Sequence, residues 1–457
     1  GKDFLKPAKE QLPEISGRYS PSRTTPLLLV SSQIVLFFLL GIVLLLKHRG
    51  EIAYAVLIPL SLLLAVGVFL YARTLRDAPR LSFIALATMG QQDEAHLQQF
   101  TAYYTPETER VSISSRSASG TILPVLSTTA KIMQAAEISC NQAMMVENVR
   151  IVANSLRTFY TELPVRLPGR LTVKLHLGAE GMEGTITNQT GHDLFDALII
   201  AGGRSYAIGD LPAGKSTRII ANDPPLGKHT FTGRAVRTKT DLLRNALLDA
   251  MVYRPAAGRR YLKNPFLLCW SQDILMNPLD EEHREKVSSK GFSLLIRAVK
   301  LGKSPSGTKV LVPYGLLRLK IRSLGVPIWD PVKMEFIESS RKGGVLLDFA
   351  PPEGIGTLIQ PRATLRIAIR AANFRTRISG LTSPEKGAEG KKVMIKTIDR
   401  PIGEYKITVD RLERFADERT GRYKLIVEVV PIKSSKSTPS RRWKIDSLNL
   451  TLEGISR

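Results

Sequence analysis

The stretch GTITNQTGHDLFDALIIAGGRSYAIGDLPAGKSTRIIA, residues Gly184–Ala221, admits two opposed folds. Its segment GDLPAGKS (Gly209–Ser216) fits the phosphate-loop pattern G-x-x-x-x-G-K-[ST] residue for residue. A phosphate loop binds its anion through successive loop N–H groups and the N-terminus of a helix directly after it. In that place the chain reads STRIIANDPP: β-branched residues up to Ala221, then Asn222, Asp223, Pro224 and Pro225, a short strand running into a turn. No clear apolar run ending in aspartate comes later to hold a magnesium ion, so the motif is read as fortuitous. The stretch is instead predicted to be an antiparallel meander, with strands at Gly184–Thr187, Leu194–Ile200, Ser205–Ile208 and Thr217–Ala221. Turns fall at Asn188–Gly191, at Gly202-Gly203 and around Pro212 and Gly214, leaving Lys215 in solvent.

The same period-two alternation continues outward. RLTVKLHL (Arg170–Leu177), ATLRIAIRA (Ala363–Ala371), EYKITVD (Glu404–Asp410), RYKLIVEVV (Arg422–Val430) and RWKIDSLNLTLEG (Arg442–Gly454) each read as a strand with one wet face. Arg366, Arg370, Lys406 and Lys424 stand on those wet faces, where cationic side chains solvate a sheet and discourage edge-to-edge pairing. Helical patterns are few. Thr240–Pro255 carries a Thr-Asp start, apolar residues at helical spacing and a proline stop, and Asn277–Lys286 reads as a short capped helix. SPEKGAEGKK (Ser383–Lys392) and KSSKSTPSRR (Lys433–Arg442) read as exposed loops. The fold class is therefore mainly β, built from antiparallel β-sandwiches of Ig-like and jelly-roll-like kind.

Ahead of the β-rich body, Pro26–Leu46 and Ile52–Ala72 are two charge-free apolar segments. Each is close to the roughly 20 residues that a helix needs to cross a bilayer. They are read as a transmembrane helix hairpin, with Pro59 tolerated inside the second span. The intervening KHRGE (Lys47–Glu51) is a tight turn, so the N- and C-terminal parts share one side of the membrane. Lys47, Arg49, Tyr54, Tyr71 and Arg73 are the expected membrane-interface residues. A count of positive charges alone would put the body in the cytoplasm.

The hairpin with its basic turn, LLKHRGEIAYAVLIPL, and the pattern TNxTGxDLxDAxxxxGGRxYxxGDLPAG resemble the C-terminal halves of a group of large, uncharacterised bacterial integral membrane proteins. The pattern is carried here by Thr187, Asn188, Gly191, Asp193, Leu194, Ala197, Gly202, Gly203, Arg204, Tyr206 and Gly209 through Gly214, and PFLLCWSQD (Pro265–Asp273) adds to it. The resemblance spans about Pro26 to Asp273. It implies a cytoplasmic turn and an extracytoplasmic β-rich region, which reverses the charge count, and it implies no activity.

The resulting division is a juxtamembrane segment (1–25), the hairpin (26–73), a β-rich domain (77–257) with an Ig-like meander at about 166–238 and a closing amphipathic helix, and a second, jelly-roll-like sandwich (258–457). Gly1 replaces an initiator Met, so an upstream part of the natural protein is expected. Cys140 and Cys269 form no metal or redox motif; they are either buried thiols or one long-range disulfide. The six histidines make no HExxH frame and no i, i+4 pair, so neither metal nor cofactor is expected. SGTK (Ser306–Lys309) satisfies S-x-x-K without the partner motifs of that hydrolase class, and no G-x-S-x-G elbow occurs, so no enzyme is expected.

The 457 residues carry a formal net charge of +24. That excess fits an anionic partner, though not nucleic acid, whose binding signatures are missing. Arg441, Arg442, Trp443 and Trp270 are the candidate ligand or partner contacts, since indole and guanidinium groups stack on sugars and bases. The sequence thus reads as a protein of the bacterial cytoplasmic membrane that contacts lipids and presents basic extracytoplasmic sandwiches to an envelope protein, an upstream domain or another anionic envelope component. The alternative is a carbohydrate-binding accessory module of an envelope complex.

Overall fold

A computed structural model describes residues 78–457 except 91–92, 126–136, 141–142, 154, 202–203, 222–243, 245–264, 331–334, 353–354, 356–357, 383–390, 418–419 and 433–441. Of the preceding stretch it describes Ser31, Val35, Phe38, Leu39, Ile42, Leu46, Pro59, Ser61, Leu62, Val66 and Gly67. These residues are helical and exposed. Among the described residues no helix is long and apolar enough to cross a membrane. Segment 1–25, the interface residues Lys47, Arg49, Tyr54, Tyr71 and Arg73, the glycine pair at 202–203, most of both expected loops and all of the 240–255 helix but Arg244 lie outside the described residues.

The alternating runs become strands because each has one apolar face to bury. The largest sheet has eight strands, in the order β11 (Arg204–Leu211), β10 (Leu194–Ala201), β13 (Phe266–Ser271), β14 (Ser288–Ala298), β1 (Arg80–Met89), β2 (Glu94–Thr105), β7 (Ser155–Arg166) and β4 (Thr121–Val125). Only β1 and β14 pair in parallel within it. Two three-stranded sheets cover one face: β12 (Ser216–Ala221), β9 (Gly181–Asn188) and β8 (Leu171–Gly178); and β3 (Glu109–Ser114), β6 (Met144–Ile151) and β5 (Glu137–Cys140). Leu175, Met182 and Ile186 of the first pack with Ala87, Leu97, Ile199 and Leu295 of the large sheet. Val111, Ile113 and Val146 of the second pack with Leu81, Tyr103 and Phe159.

The stretch Gly184–Ala221 is therefore not a meander within one sheet. The chain leaves the three-stranded sheet after β9, makes the β10–β11 hairpin in the large sheet, and returns as β12 beside β9. The physical reason is visible in the burial. β9 has a wet face, whereas Ala197–Ala201 of β10 are buried on both faces, Ile199 in one core and Leu198 and Ile200 in another. A strand buried on both sides belongs in the middle of a covered sheet. The boundary expected near residue 257 does not divide sheets either, because β13 and β14 lie inside the eight-stranded sheet beside β10 and β1. The helix expected at Asn277–Lys286 is shorter. α1 (Glu281–Lys286) is capped by Asp280, because Leu279 is held in an isolated bridge with Ile113 and is buried there.

The C-terminal half is a second sandwich. β15 (Lys309–Val312), β26 (Lys444–Ser456), β20 (Leu358–Arg370) and β23 (Ile402–Val409) form one sheet; β16 (Lys320–Gly325), β19 (Gly343–Phe349), β25 (Arg422–Pro431), β21 (Phe374–Leu381) and β22 (Lys392–Asp399) form the other, with β24 (Ala416–Asp417) paired to β25. A short ribbon, β17 (Trp329–Asp330) with β18 (Glu335–Phe336), stands apart. If β15, β19, β20, β21, β22, β23, β25 and β26 are lettered B to I, the sheets read B-I-D-G and C-H-E-F. That order is the pair of interlocked Greek keys of a jelly roll. The two sandwiches share one continuous core. Ser304 Oγ donates to the Leu177 carbonyl at 2.7 Å, and Gly302 N to that of Leu175 at 2.7 Å. Gly315 packs so closely that a Cβ there would lie 2.3 Å from the Ala201 carbonyl oxygen.

Candidate functional site: a basic sheet face

The phosphate-loop pattern does not adopt phosphate-loop geometry. Gly209–Ser216 spans the end of β11, a turn and the start of β12, with no helix after it. The turn uses Gly214 at φ +72°, a left-handed position that costs other residues more. Its N–H groups are already committed: Ala213 N to Asp193 Oδ1 at 2.8 Å, Gly214 N to Asn188 O at 2.7 Å, and Lys215 N to Pro212 O at 3.3 Å. A phosphate would have to displace all three. Asn188 organises this region. It is fully buried, donates from Nδ2 to the carbonyls of His192 (2.8 Å) and Leu211 (2.7 Å), and accepts at Oδ1 from Thr190 N and Oγ1. The motif TNxTGxDL…GDLPAG thus folds two loops onto one side chain.

The expected contact residues separate. Trp443 is 1% exposed: its Nε1 donates to Arg341 O at 2.9 Å, its ring packs near Phe374, and its backbone bridges to Ser339. Trp270 is 2% exposed and meets Phe292 edge-on, with the Arg244 guanidinium over both rings and ion-paired to Asp196. Neither indole offers a free face for stacking, which corrects the expectation drawn from residue type alone. Arg442 is exposed and 3.6 Å from Glu338, while Arg441 lies outside the described residues. In SGTK, Ser306 sits in a turn and Lys309 reaches Glu453 at 3.7 Å. Cys269 is a free thiol, wholly buried, and that burial pushes its pKa up.

What the structure does assemble is the outer face of the β15-β26-β20-β23 sheet. Arg366 of β20 stands directly opposite Lys406 of β23 on one side and Asn449 of β26 on the other. Both cations are exposed. The flanking arginines are neutralised, Arg362 by Asp410 and Arg370 by a two-pronged bond to Asp446 at 2.8 and 2.7 Å, which also holds the Arg370 pKa up. Among the described residues no carboxylate pairs with Arg366 or Lys406. Like charges directly opposite on a sheet repel. Asn449 is 4% exposed and its Oδ1 meets no donor among the described residues. A row Thr451–Thr364–Thr408 lies next to it, and Thr408 with Asp410 leads into a cleft of about 220 Å³ that Arg414, Met394 and Phe415 help to line. The arrangement can hold an extended anion: cations at its centre, hydroxyls beside them, and an opening at one end.

A second polar cluster is structural. His283 Nδ1 bonds Asp280 at 2.6 Å, Nε2 lies 3.7 Å from Glu109, and Tyr103 OH donates to Glu109 at 2.7 Å, which ties α1 to β2 and β3. Burial, the hydrogen bond to Glu109 and its charge push the Tyr103 pKa up. Among the described residues no group of His, Cys, Asp and Glu could hold a metal ion.

Against known proteins, a domain family of unknown function, DUF8725, matches residues 170–302. No curated protein matches the sequence. Similar solved structures include a carbohydrate-binding module of a β-sandwich superfamily (7% identity, TM-score 0.14, 63% of this chain and 94% of that one). Another is the partial N-terminal region of an enterococcal surface protein (10% identity, TM-score 0.19, 78% and 84%). A third is the VP2 protein of infectious bursal disease virus (8% identity, TM-score 0.17, 63% and 72%). The mainly antiparallel β architecture rests on the strand pairing itself.

Proposed function

We propose that this chain is a membrane-anchored protein of the bacterial envelope whose β-sandwiches lie outside the cytoplasmic membrane and bind an anionic partner through the basic face of the jelly roll. The observation that carries the reading is the direct opposition of Arg366 and Lys406 on an exposed face, with no carboxylate paired to either among the described residues. A sheet that only needed solubility would alternate signs there, as Arg370 and Asp446 do on the same sheet. The net charge of +24 supports the same class of partner. The two apolar segments at 26–46 and 52–72 and the exposed apolar side chains of Val35, Phe38, Leu39 and Leu46 support the anchor. The partner is an envelope component or protein with a linear array of negative charge.

The test is retention of the full chain, purified in neutral detergent, on an immobilised acidic wall polymer at increasing salt. Retention that falls steeply with salt and is reduced at least about tenfold by Arg366→Glu is the expected result. Equal, salt-insensitive retention of wild type and variant would sink the reading.

A further inference from the structure

The eight-stranded sheet has a second buried face, turned away from both three-stranded sheets. Its apolar cluster draws on β10, β13, β14, β1 and β2, with Leu198, Leu268, Phe292, Ile84 and Ala102 among the members. Every buried member belongs to this one sheet, as do the half-buried residues packed around them. Leu268 and Ala102 are nevertheless 0% exposed. A sheet cannot cover its own face, so another part of the chain lies on it. Among the described residues, Arg244 reaches this face from outside the sheet. It is helical, and its guanidinium lies 4.7 Å from the ring centre of Phe195, 5.6 Å from that of Trp270 and 5.8 Å from that of Phe292. Its Nη1 is 3.5 Å from Asp196 Oδ2. Asp196 stands in an irregular stretch of β10 at φ +49°, and bulges of this kind re-aim a side chain.

Arg244 belongs to segment 240–255, whose sequence carries apolar residues at helical spacing. Leu247, Leu248 and Met251 follow it at three, four and seven positions, the intervals that share one helix face, whereas Asn245 and Asp249 fall on another. A helix of that length measures about 24 Å, enough to reach across five strands spaced about 4.8 Å apart. The chain leaving β12 at Ala221 re-enters the large sheet at Phe266, itself a member of the cluster, so the connection ends at the face to be covered. We propose that segment 240–255 is the cover of this face, with Arg244 as its pin and Leu247, Leu248 and Met251 laid on the apolar cluster. A guanidinium over aromatic rings is held by the ring quadrupoles, the more strongly as water is excluded. Asp196 keeps the same group from being a buried charge without a counter-ion. The contact is internal to the chain and does not depend on the jelly-roll face or the partner proposed for it.

The experiment is acrylamide quenching of Trp270 fluorescence in the full chain, purified in neutral detergent, read as the difference between each protein and its Trp270→Phe counterpart. In the wild type the indole should be protected and its emission shifted to the blue, as its 2% exposure requires. Leu247→Asp, on the covering face, should remove that protection and shift the emission to the red. Asn245→Asp puts the same carboxylate on the other face of the segment and should change neither. Arg244→Met should give a partial loss of protection, and it serves if Leu247→Asp does not fold, with circular dichroism reporting whether the sheets persist. Wild-type protection in both Leu247→Asp and Arg244→Met would mean that a different part of the chain covers the face. An equal loss in Asn245→Asp and Leu247→Asp would mean that the segment does not lie on the sheet by the face of Arg244. Either result overturns the proposal.

Discussion

Asn188 donates from its buried carboxamide to the carbonyl oxygen of Leu211 at 2.7 Å, joining the last residue of β9 to the last residue of β11 across two sheets. The same Nδ2 serves the His192 carbonyl, and the backbone of Asn188 holds Gly214 and Lys215. Asn188→Ala leaves two carbonyls and the Thr190 hydroxyl without this partner in a dry site. The expected loss is about 2–4 kcal/mol, since each buried orphan costs about 1–3 kcal/mol and local relaxation recovers part. Asn188→Asp should be no milder, because a carboxylate cannot donate to either carbonyl. Urea unfolding of the full chain measures both; a loss below that of an ordinary surface substitution would remove Asn188 from its organising role.

Trp443 fills the jelly-roll core, although its residue type and its basic neighbours suggest a ligand-stacking role. Trp443→Ala should cost about 3–5 kcal/mol, the range for deleting a buried aromatic side chain. Trp443→Phe should cost less, losing the bond to Arg341 O and part of the packing against Phe374. Ligand profiles on a glycan array provide the contrast. If Trp443→Phe keeps the fold but erases a glycan signal seen with wild type, the indole has a binding role that its burial argues against.

Asp280 links acidity to the stability of α1. Burial alone would raise its pKa, but bonds from His283 N, the His283 ring and Ser112 N outweigh this and hold it below its ordinary 3.8. A depressed folded value means that the contribution is complete above the unfolded pKa and is lost as pH falls through the folded one. Asp280→Ala should therefore destabilise by about 1 kcal/mol near neutral pH, as loss of an N-cap does. Wild type and variant should converge as the pH falls through the depressed folded-state value, which lies below the ordinary carboxylate range. Unfolding midpoints measured near neutral pH and in acid check it; a difference that does not shrink in acid would place the effect elsewhere.

The strands were legible because their alternation is local. Leu171–Gly178, Arg422–Pro431 and Lys444–Ser456 begin and end within two residues of their expected ends. Sheet membership was not, since nothing in the order of residues says that β9 and β10 part company or that β1 pairs in parallel with β14, some two hundred positions away. The continuous apolar run LIIA in β10 was the available sign of a doubly covered strand. The site divides in the same way. Arg366 and Lys406 were visible as wet-face cations, but their opposition depends on register between strands far apart in the chain. Tryptophan at a strand start says nothing by itself about which side of the sheet it takes.

The opposition of Arg366 and Lys406 allows stability and binding to be separated in one protein. Lys406→Glu puts a carboxylate directly across from Arg366 and replaces a repulsive pair by an attractive one. Cross-strand charge pairs of this kind contribute about 0.2–1 kcal/mol, so the variant should unfold at equal or slightly higher urea than wild type. If the face binds an anion, the same substitution should weaken salt-sensitive retention on an acidic polymer at least as much as Arg366→Glu does, because it removes one cation and neutralises the other. A control at an already paired position, Arg370→Gln, should lose the bonds to Asp446 and a little stability while changing retention less. A variant that is both more stable and less retentive indicates a face kept cationic at the expense of folding; unchanged retention in Lys406→Glu would leave the pair as a tolerated repulsion on a wet sheet.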